Sequence, residues 1–184
     1  MKHLRYAITL TILLTSIICL GQKPKHAVAE QTSFCEDGAD DLELKPVALP
    51  RLVLATVMNT KEGRDAQREL SQSEGTERDP TRLLKGKEIR LSDSGNRFFL
   101  VMGTYPMSGA DNTWFWIVRQ NGHKASILLF TGGNCLDLSA KTTLGYRNVI
   151  TTWSSPSETE TTTYVYDGKG YKVLRKRSHP NGER

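Results

Sequence analysis

The sequence predicts a mainly β protein at the α+β margin, an antiparallel β-meander of about seven to eight strands with one N-terminal helix. Three observations carry that expectation. Past residue 84 the chain becomes a series of short runs rich in Val, Ile, Thr, Phe, Tyr and Trp, separated at regular intervals by turn residues. Asn121-Gly122 and Asp167-Gly168 join such runs, and these dipeptides are strong short-range hairpin signals. The runs lie too close together for crossover helices, so neighbouring strands are expected to pair antiparallel. With 184 residues, 38% hydrophobic and 24% charged, the chain suits one domain with an ordinary core. That composition excludes a collagen-like chain, a polytopic membrane protein and a fully disordered one.

Residues 1–29 read as a signal peptide. Met1-Lys2-His3-Leu4-Arg5 is a basic leader, and residues 8–20 are apolar with only Thr and Ser interrupting them. The run suits the hydrophobic segment of an export signal and falls short of the roughly 20 residues that span a bilayer. Ala27-Val28-Ala29 offers the small-x-small pattern that signal peptidase cuts, so cleavage is expected after Ala29, with Gly21 as the alternative. Ile18 before Cys19 argues against lipid attachment, which needs a small residue there. The expected location is secreted or periplasmic, with no stable membrane insertion after processing. Lys2, Arg5, Lys23 and Lys25 all fall in this leader, which holds no acid. Most of the net charge of +5 therefore leaves with it, and no nucleic-acid partner is expected.

Processing also removes Cys19 and leaves Cys35 and Cys135 in a compartment where disulfides persist. No CxxC spacing or histidine cluster suggests a redox or metal pair. A structural bridge is expected, closing a loop of about 100 residues.

Residues 30–48 form an acidic arm, with Glu36, Asp37, Asp40, Asp41 and Glu43 close together. Asp37-Gly38-Ala39-Asp40-Asp41 lacks the alternating oxygen ligands and distal Glu of an EF-hand loop, so a solvated arm is expected rather than a calcium site. Residues 49–83 hold the helix and a polar loop. The helix is expected over 50–58, where proline is tolerated in the first turn and Leu52, Val53 and Val57 line one face together with Leu49 and Thr56. Gly63 should end or interrupt it. A short exposed helix over 64–70 and a polar loop over 73–80 complete the segment.

The antiparallel β domain is expected over 84–175, with strands at 88–91, 97–103, 113–120, 124–131, 136–143, 148–154, 161–167 and 170–174. Leu136, Leu138 and Ala140 alternate with Asp137, Ser139 and Lys141, the pattern of a half-buried strand. In Trp114-Phe115-Trp116-Ile117 the two tryptophans share one face, while Phe115 and Ile117 take the other. Large apolar groups on both faces indicate a central strand covered on each side, with Trp153, Tyr164 and Tyr166 as core or cross-strand partners. The alternative use of Trp114 and Trp116 is a ligand platform. A basic tail, 176–184, follows the last strand, and Arg175-Lys176-Arg177 at its start reads as a solvated terminus or as a contact for an anionic partner.

Ile89-Arg90-Leu91-Ser92-Asp93-Ser94-Gly95-Asn96-Arg97-Phe98-Phe99-Leu100-Val101-Met102-Gly103 resembles the strand–DxxGDG–strand hairpin of FG-GAP and VCBS-type repeats. Gly109-Ala110-Asp111-Asn112-Thr113-Trp114-Phe115-Trp116-Ile117-Val118, followed by Gly145-Tyr146-Arg147-Asn148-Val149, is similar to a pattern in uncharacterised exported bacterial β-rich proteins. The Tyr-x-Tyr-Asp-Gly-x-x-Tyr strand pair from Tyr164 to Tyr171 resembles their ending. The likeness spans residues 87–173 and implies a small secreted β-rich domain with no established activity. Ser92, Ser94 and Asn96 leave Asp93 as the one carboxylate of that hairpin, too few for a hard divalent cation. Asp93 is expected to be a turn residue whose side chain bonds the backbone.

Catalytic signals are weak throughout. His123 and His179 lack an i+4 partner or an HExxH context, no GxSxG elbow precedes a helix, and a bridged Cys35–Cys135 pair leaves no thiol nucleophile. No catalytic, metal or cofactor residue is assigned. The sequence therefore points to an exported non-enzymatic domain that binds an envelope or extracellular protein or glycan. The alternative is a secreted hydrolase whose groups converge only in the folded chain.

Overall fold

A computed structural model describes residues 31–35, 49–72, 83–104, 108–109 and 112–181. The expected signal peptide, most of the expected acidic arm, the polar loop expected over 73–80 and the last three residues lie outside them. Everything described from Thr32 onward belongs to one compact unit.

The chain order is β1 (Ser33–Cys35), α1 (Arg51–Met58), α2 (Lys61–Gln72), β2 (Leu84–Ile89), β3 (Arg97–Gly103), β4 (Ser108–Gly109), β5 (Asn112–Asn121), β6 (Lys124–Gly133), β7 (Cys135–Thr143), β8 (Tyr146–Ser154), β9 (Glu158–Tyr166) and β10 (Tyr171–Pro180). The protein is mainly β, as expected. The strands form two five-stranded antiparallel sheets rather than one meander. In the first sheet β2 pairs with β3, β3 and β4 share one edge of β5, and β6 takes the other. The second sheet runs β1-β7-β8-β9-β10.

The division falls at Gly133-Asn134. Gly133 still pairs with Thr113 of β5, whereas the next backbone amide, of Asn134, donates to the carbonyl of Thr152 on β8 at 2.8 Å. A Cβ at residue 133 would stand 2.9 Å from that same carbonyl oxygen, so only glycine lets the chain pass from one sheet to the other here.

Strands β3 and β5 are the middle of the molecule. Phe98, Leu100, Met102, Phe115 and Ile117 face the second sheet and pack with Phe34, Leu136, Leu138 and Val149. Phe99, Val101, Trp116 and Val118 face the helices and pack with Val53, Val57, Met58 and Ala66. Phe115, Trp116, Ile117 and Val118 are all fully buried, the outcome of covering one strand on both faces. In β6 an extra residue at Leu128 shifts the register between Ile117↔Leu129 and Val118↔Ile127, so the adjacent Leu128 and Leu129 both join the core between the sheets.

α1 places Val53 and Val57, one turn apart, against the first sheet. α1 falls where the first helix was expected, and α2 is longer than the short helix expected over 64–70 and runs through Gly63, which was expected to end or interrupt a helix. α1 stops at Met58 and α2 starts at Lys61, because Thr60 caps the second helix. Its hydroxyl accepts the Gly63 amide at 3.0 Å and donates to the Val57 carbonyl at 2.7 Å.

The Asn-Gly hairpin signal holds, with the tight turn at Gly122-His123. Asn121 pairs with Lys124, and Gly122 has φ +55°. At the resembled hairpin, Ser92 rather than Asp93 bonds the backbone. The Ser92 hydroxyl accepts the Ser94 amide at 3.3 Å, while the Asp93 carboxylate accepts from Arg90. Arg90 lies three residues away and offers a charged donor, a stronger partner than a neutral amide.

Candidate functional site

Cys35 and Cys135 are direct register partners on β1 and β7, bonded with their Cα atoms 4.0 Å apart. The bridge fastens three-residue β1, whose Phe34 is buried in the core between the sheets. The cysteine pair is thus a clamp on the outer edge of the second sheet.

Trp116 is fully buried on the helix side of the first sheet, 5.1 Å from the ring of its cross-strand partner Phe130. Trp114 is half-buried and meets Trp116 edge-on at 6.2 Å, with the ring planes at 83°. It meets Phe130 in the same way at 6.1 Å. The two tryptophans make a corner and not a flat plate. Phe130, 41% exposed, is the open member of this group, and only strand register shows that it belongs there.

In the other core, between the two sheets, Tyr146 and Tyr166 stack with ring centres 3.9 Å apart. Phe98 meets Tyr146 edge-on and Tyr171 meets Tyr166 in the same way, each at 5.8 Å. The Tyr171 hydroxyl donates to the Arg147 carbonyl at 2.6 Å, and the Tyr166 hydroxyl donates to the Gly168 carbonyl at 2.9 Å. The Arg147 guanidinium in turn donates to the carbonyls of Ser139 and Leu138, at 2.9 and 2.8 Å, where β7 bulges away from β8. Its amide donates to the Leu91 carbonyl at 2.8 Å and ties the two sheets together. The resembled stretch around Arg147 therefore has a packing role.

Burial pushes the phenols of Tyr171 and Tyr166 upward, and the neighbouring Tyr146 adds to both shifts. A raised folded-state pKa favours the protonated phenol, so this contribution to stability is complete below the unfolded value near pH ~10 and fades as pH rises above it. Ultraviolet titration of phenolate is expected to show two tyrosines ionising only together with alkaline unfolding. Stepwise ionisation of every tyrosine before the far-ultraviolet signal changes would refute this.

The most exposed element is β10. Its basic run lies inside the strand, which continues to Pro180 where a tail was expected from 176. Arg175-Lys176-Arg177-Ser178-His179 has no apolar alternation. Pairing with β9 over Tyr171↔Tyr166 to Pro180↔Glu158 is what extends the strand. A bulge at Leu174 breaks the register between Val173 and Arg175. Beyond it Arg175, Arg177 and His179 stand opposite Thr163, Thr161 and Thr159 on the face turned away from Tyr164 and the core. Lys176, on the other face, pairs with Glu160 at 2.7 Å, which raises the lysine pKa. Val173 and Leu174 are 56% and 63% exposed.

Among the described residues β10 pairs with β9 alone, leaving its outer edge open, and Arg175 and Arg177 have no carboxylate partner. Such an edge presents unpaired amides and carbonyls to any extended chain. No family model, curated protein or solved structure matches the chain.

Proposed function

We propose that this chain is an exported, non-enzymatic binding domain that holds an acidic extended segment of an envelope or extracellular protein by strand addition at β10. The observation that carries the reading is the open edge of β10, with Lys172, Arg175, Lys176 and Arg177 on a strand that contains no acid. Backbone bonding would supply affinity and the cations the preference for acidic side chains. Pairing of two β10 edges would set like charges against each other, which disfavours self-association by this route. The Cys35–Cys135 bridge suits the oxidising location that the leader implies.

Fluorescence anisotropy with a labelled peptide alternating Glu and Thr tests the reading. Binding is expected to weaken with added salt and to drop by at least about tenfold in Arg175→Glu/Arg177→Glu, each rim charge contributing on the order of 1 kcal/mol. A peptide N-methylated on its bonding edge should not bind. Equal binding of the N-methylated peptide, or preference for an anionic glycan over the acidic peptide, would remove strand addition as the mode.

A further inference from the structure

The β5–β6 hairpin holds a second cationic feature that the proposed binding edge does not use. An open pocket of about 700 Å³ is lined by Asn96, Arg119, Asn121, His123, Lys124 and Ser126, together with one alanine. None of its lining residues is acidic. The local fold explains why these side chains meet. Arg119 and Ser126 are register partners two pairs in from the tight turn, Asn121 and Lys124 close it, and Asn96 immediately precedes β3.

Arg119 is the centre of the site. It shares a face of β5 with Phe115 and Ile117, so its stem runs along the end of the core between the sheets. The residue is half-buried, and its guanidinium donates to two neutral hydroxyls, Tyr166 of β9 at 3.5 Å and Ser126 of β6 at 3.4 Å. Both contacts are at the long limit for a hydrogen bond and leave most of the five donors of the fork unused. Several other cations find carboxylates: Arg97 binds Glu88, Arg90 binds Asp93, and Lys61 and Arg68 share Asp65, while the half-buried Arg147 is satisfied by two backbone carbonyls at 2.9 and 2.8 Å. Among the described residues Arg119 and Lys124 have no such partner. A guanidinium fork that meets only two long bonds to neutral hydroxyls keeps unused donors, and an anion entering the pocket would engage them.

We propose that this pocket binds a phosphate monoester carried on a small sugar. A planar carboxylate is satisfied by one guanidinium fork, whereas a phosphate dianion can engage Arg119 and Lys124 together and still accept from the Ser126 hydroxyl. The volume exceeds that of a bare phosphate and lies in the range of small-molecule sites. The Asn96 and Asn121 amides on the rim can both donate and accept, which suits sugar hydroxyls.

The test is calorimetric titration of the purified, disulfide-bonded protein with inorganic phosphate, glucose 6-phosphate, glucuronate and glucose. Glucose 6-phosphate is expected to bind at least about tenfold more tightly than glucuronate, inorganic phosphate more weakly than the sugar phosphate, and glucose not measurably. Arg119→Gln should weaken glucose 6-phosphate by about tenfold or more, and Lys124→Gln, at an exposed position, by about threefold. Because Arg119→Gln could disturb the core end, amide chemical-shift mapping of the unaltered protein serves as a second readout, with shifts expected at residues 119–126. The proposal is overturned by unchanged affinity in Lys124→Gln, by glucuronate binding as tightly as glucose 6-phosphate, or by shifts clustered elsewhere. Arg175→Glu/Arg177→Glu should leave this titration unchanged, so failure here and failure of strand addition at β10 are separate results.

Discussion

Trp116→Ala is expected to destabilise the folded domain by about 3–5 kcal/mol, the usual loss for a large aromatic deleted from a core. The indole is fully buried between the first sheet and the helices, where it packs with Val53, Val57, Phe99, Val101 and Val118. These neighbours belong to three separate elements, two of them strands of a paired sheet, so they cannot close together over the space left by an alanine. The indole Nε1 has no hydrogen-bond partner among the described residues, so the residue contributes through packing alone and carries the cost of an unpaired donor. Trp116→Phe keeps most of the apolar bulk and removes that donor, so it should cost clearly less than the alanine variant. Urea unfolding of the three proteins decides the matter. A loss below about 1 kcal/mol in Trp116→Ala would mean that the helix layer does not seal this face.

Removing the disulfide is the second large effect. Cys35→Ala/Cys135→Ala is expected to cost about 2–5 kcal/mol, since the bond spans 100 residues and the chain-entropy model sets about 4.7 kcal/mol for a loop of that size. The native state should keep its form, because Phe34 still has its place against Leu136. Most of the loss arises in the unfolded chain, which gains freedom when the two ends of the loop separate. Trp116 lies in the helix-side core and the bridge in the second sheet, so the two losses should add. Their sum approaches the whole stability of a typical domain, about 5–15 kcal/mol, and the combined variant is expected to be largely unfolded. Comparable midpoints for the oxidised protein and Cys35→Ala/Cys135→Ala would show that β1 is held by pairing alone.

Most of the first sheet was legible because its signal is local. Residues 97–103 and 113–120 carry apolar side chains on both pleat faces, and such a strand has to be covered twice wherever it lies in the fold. Alternation placed β7 for the same reason, with Leu136 and Leu138 inward and Asp137 outward. Two cysteines outside the stretch that reads as an export leader were enough to expect the bridge. The candidate sites were less legible. The cations of β10 were visible as a run, but an edge strand open on both faces has no hydrophobic period to mark it as a strand. Arg119 drew no attention at all, since an arginine near a hairpin looks solvated until the missing carboxylate and the facing Tyr166 are seen together.

Side-chain chemistry along the chain thus determined most of the strands from β2 onward, which strand is central and which cysteines can bond, because each follows from residues within a few positions of one another or from simple counting; the short strands β1 and β4 carry no such local signal. The tertiary structure alone decided that the strands divide into two sheets at Gly133-Asn134, that β1 joins β7 across 100 residues, and that β10 extends to Pro180. It also decided that Arg119 meets Ser126 and Tyr166 with no acid beside it among the described residues. These are matters of register between distant segments. Register is set by how two faces pack and which backbone groups find partners, and neither quantity belongs to any single stretch of sequence.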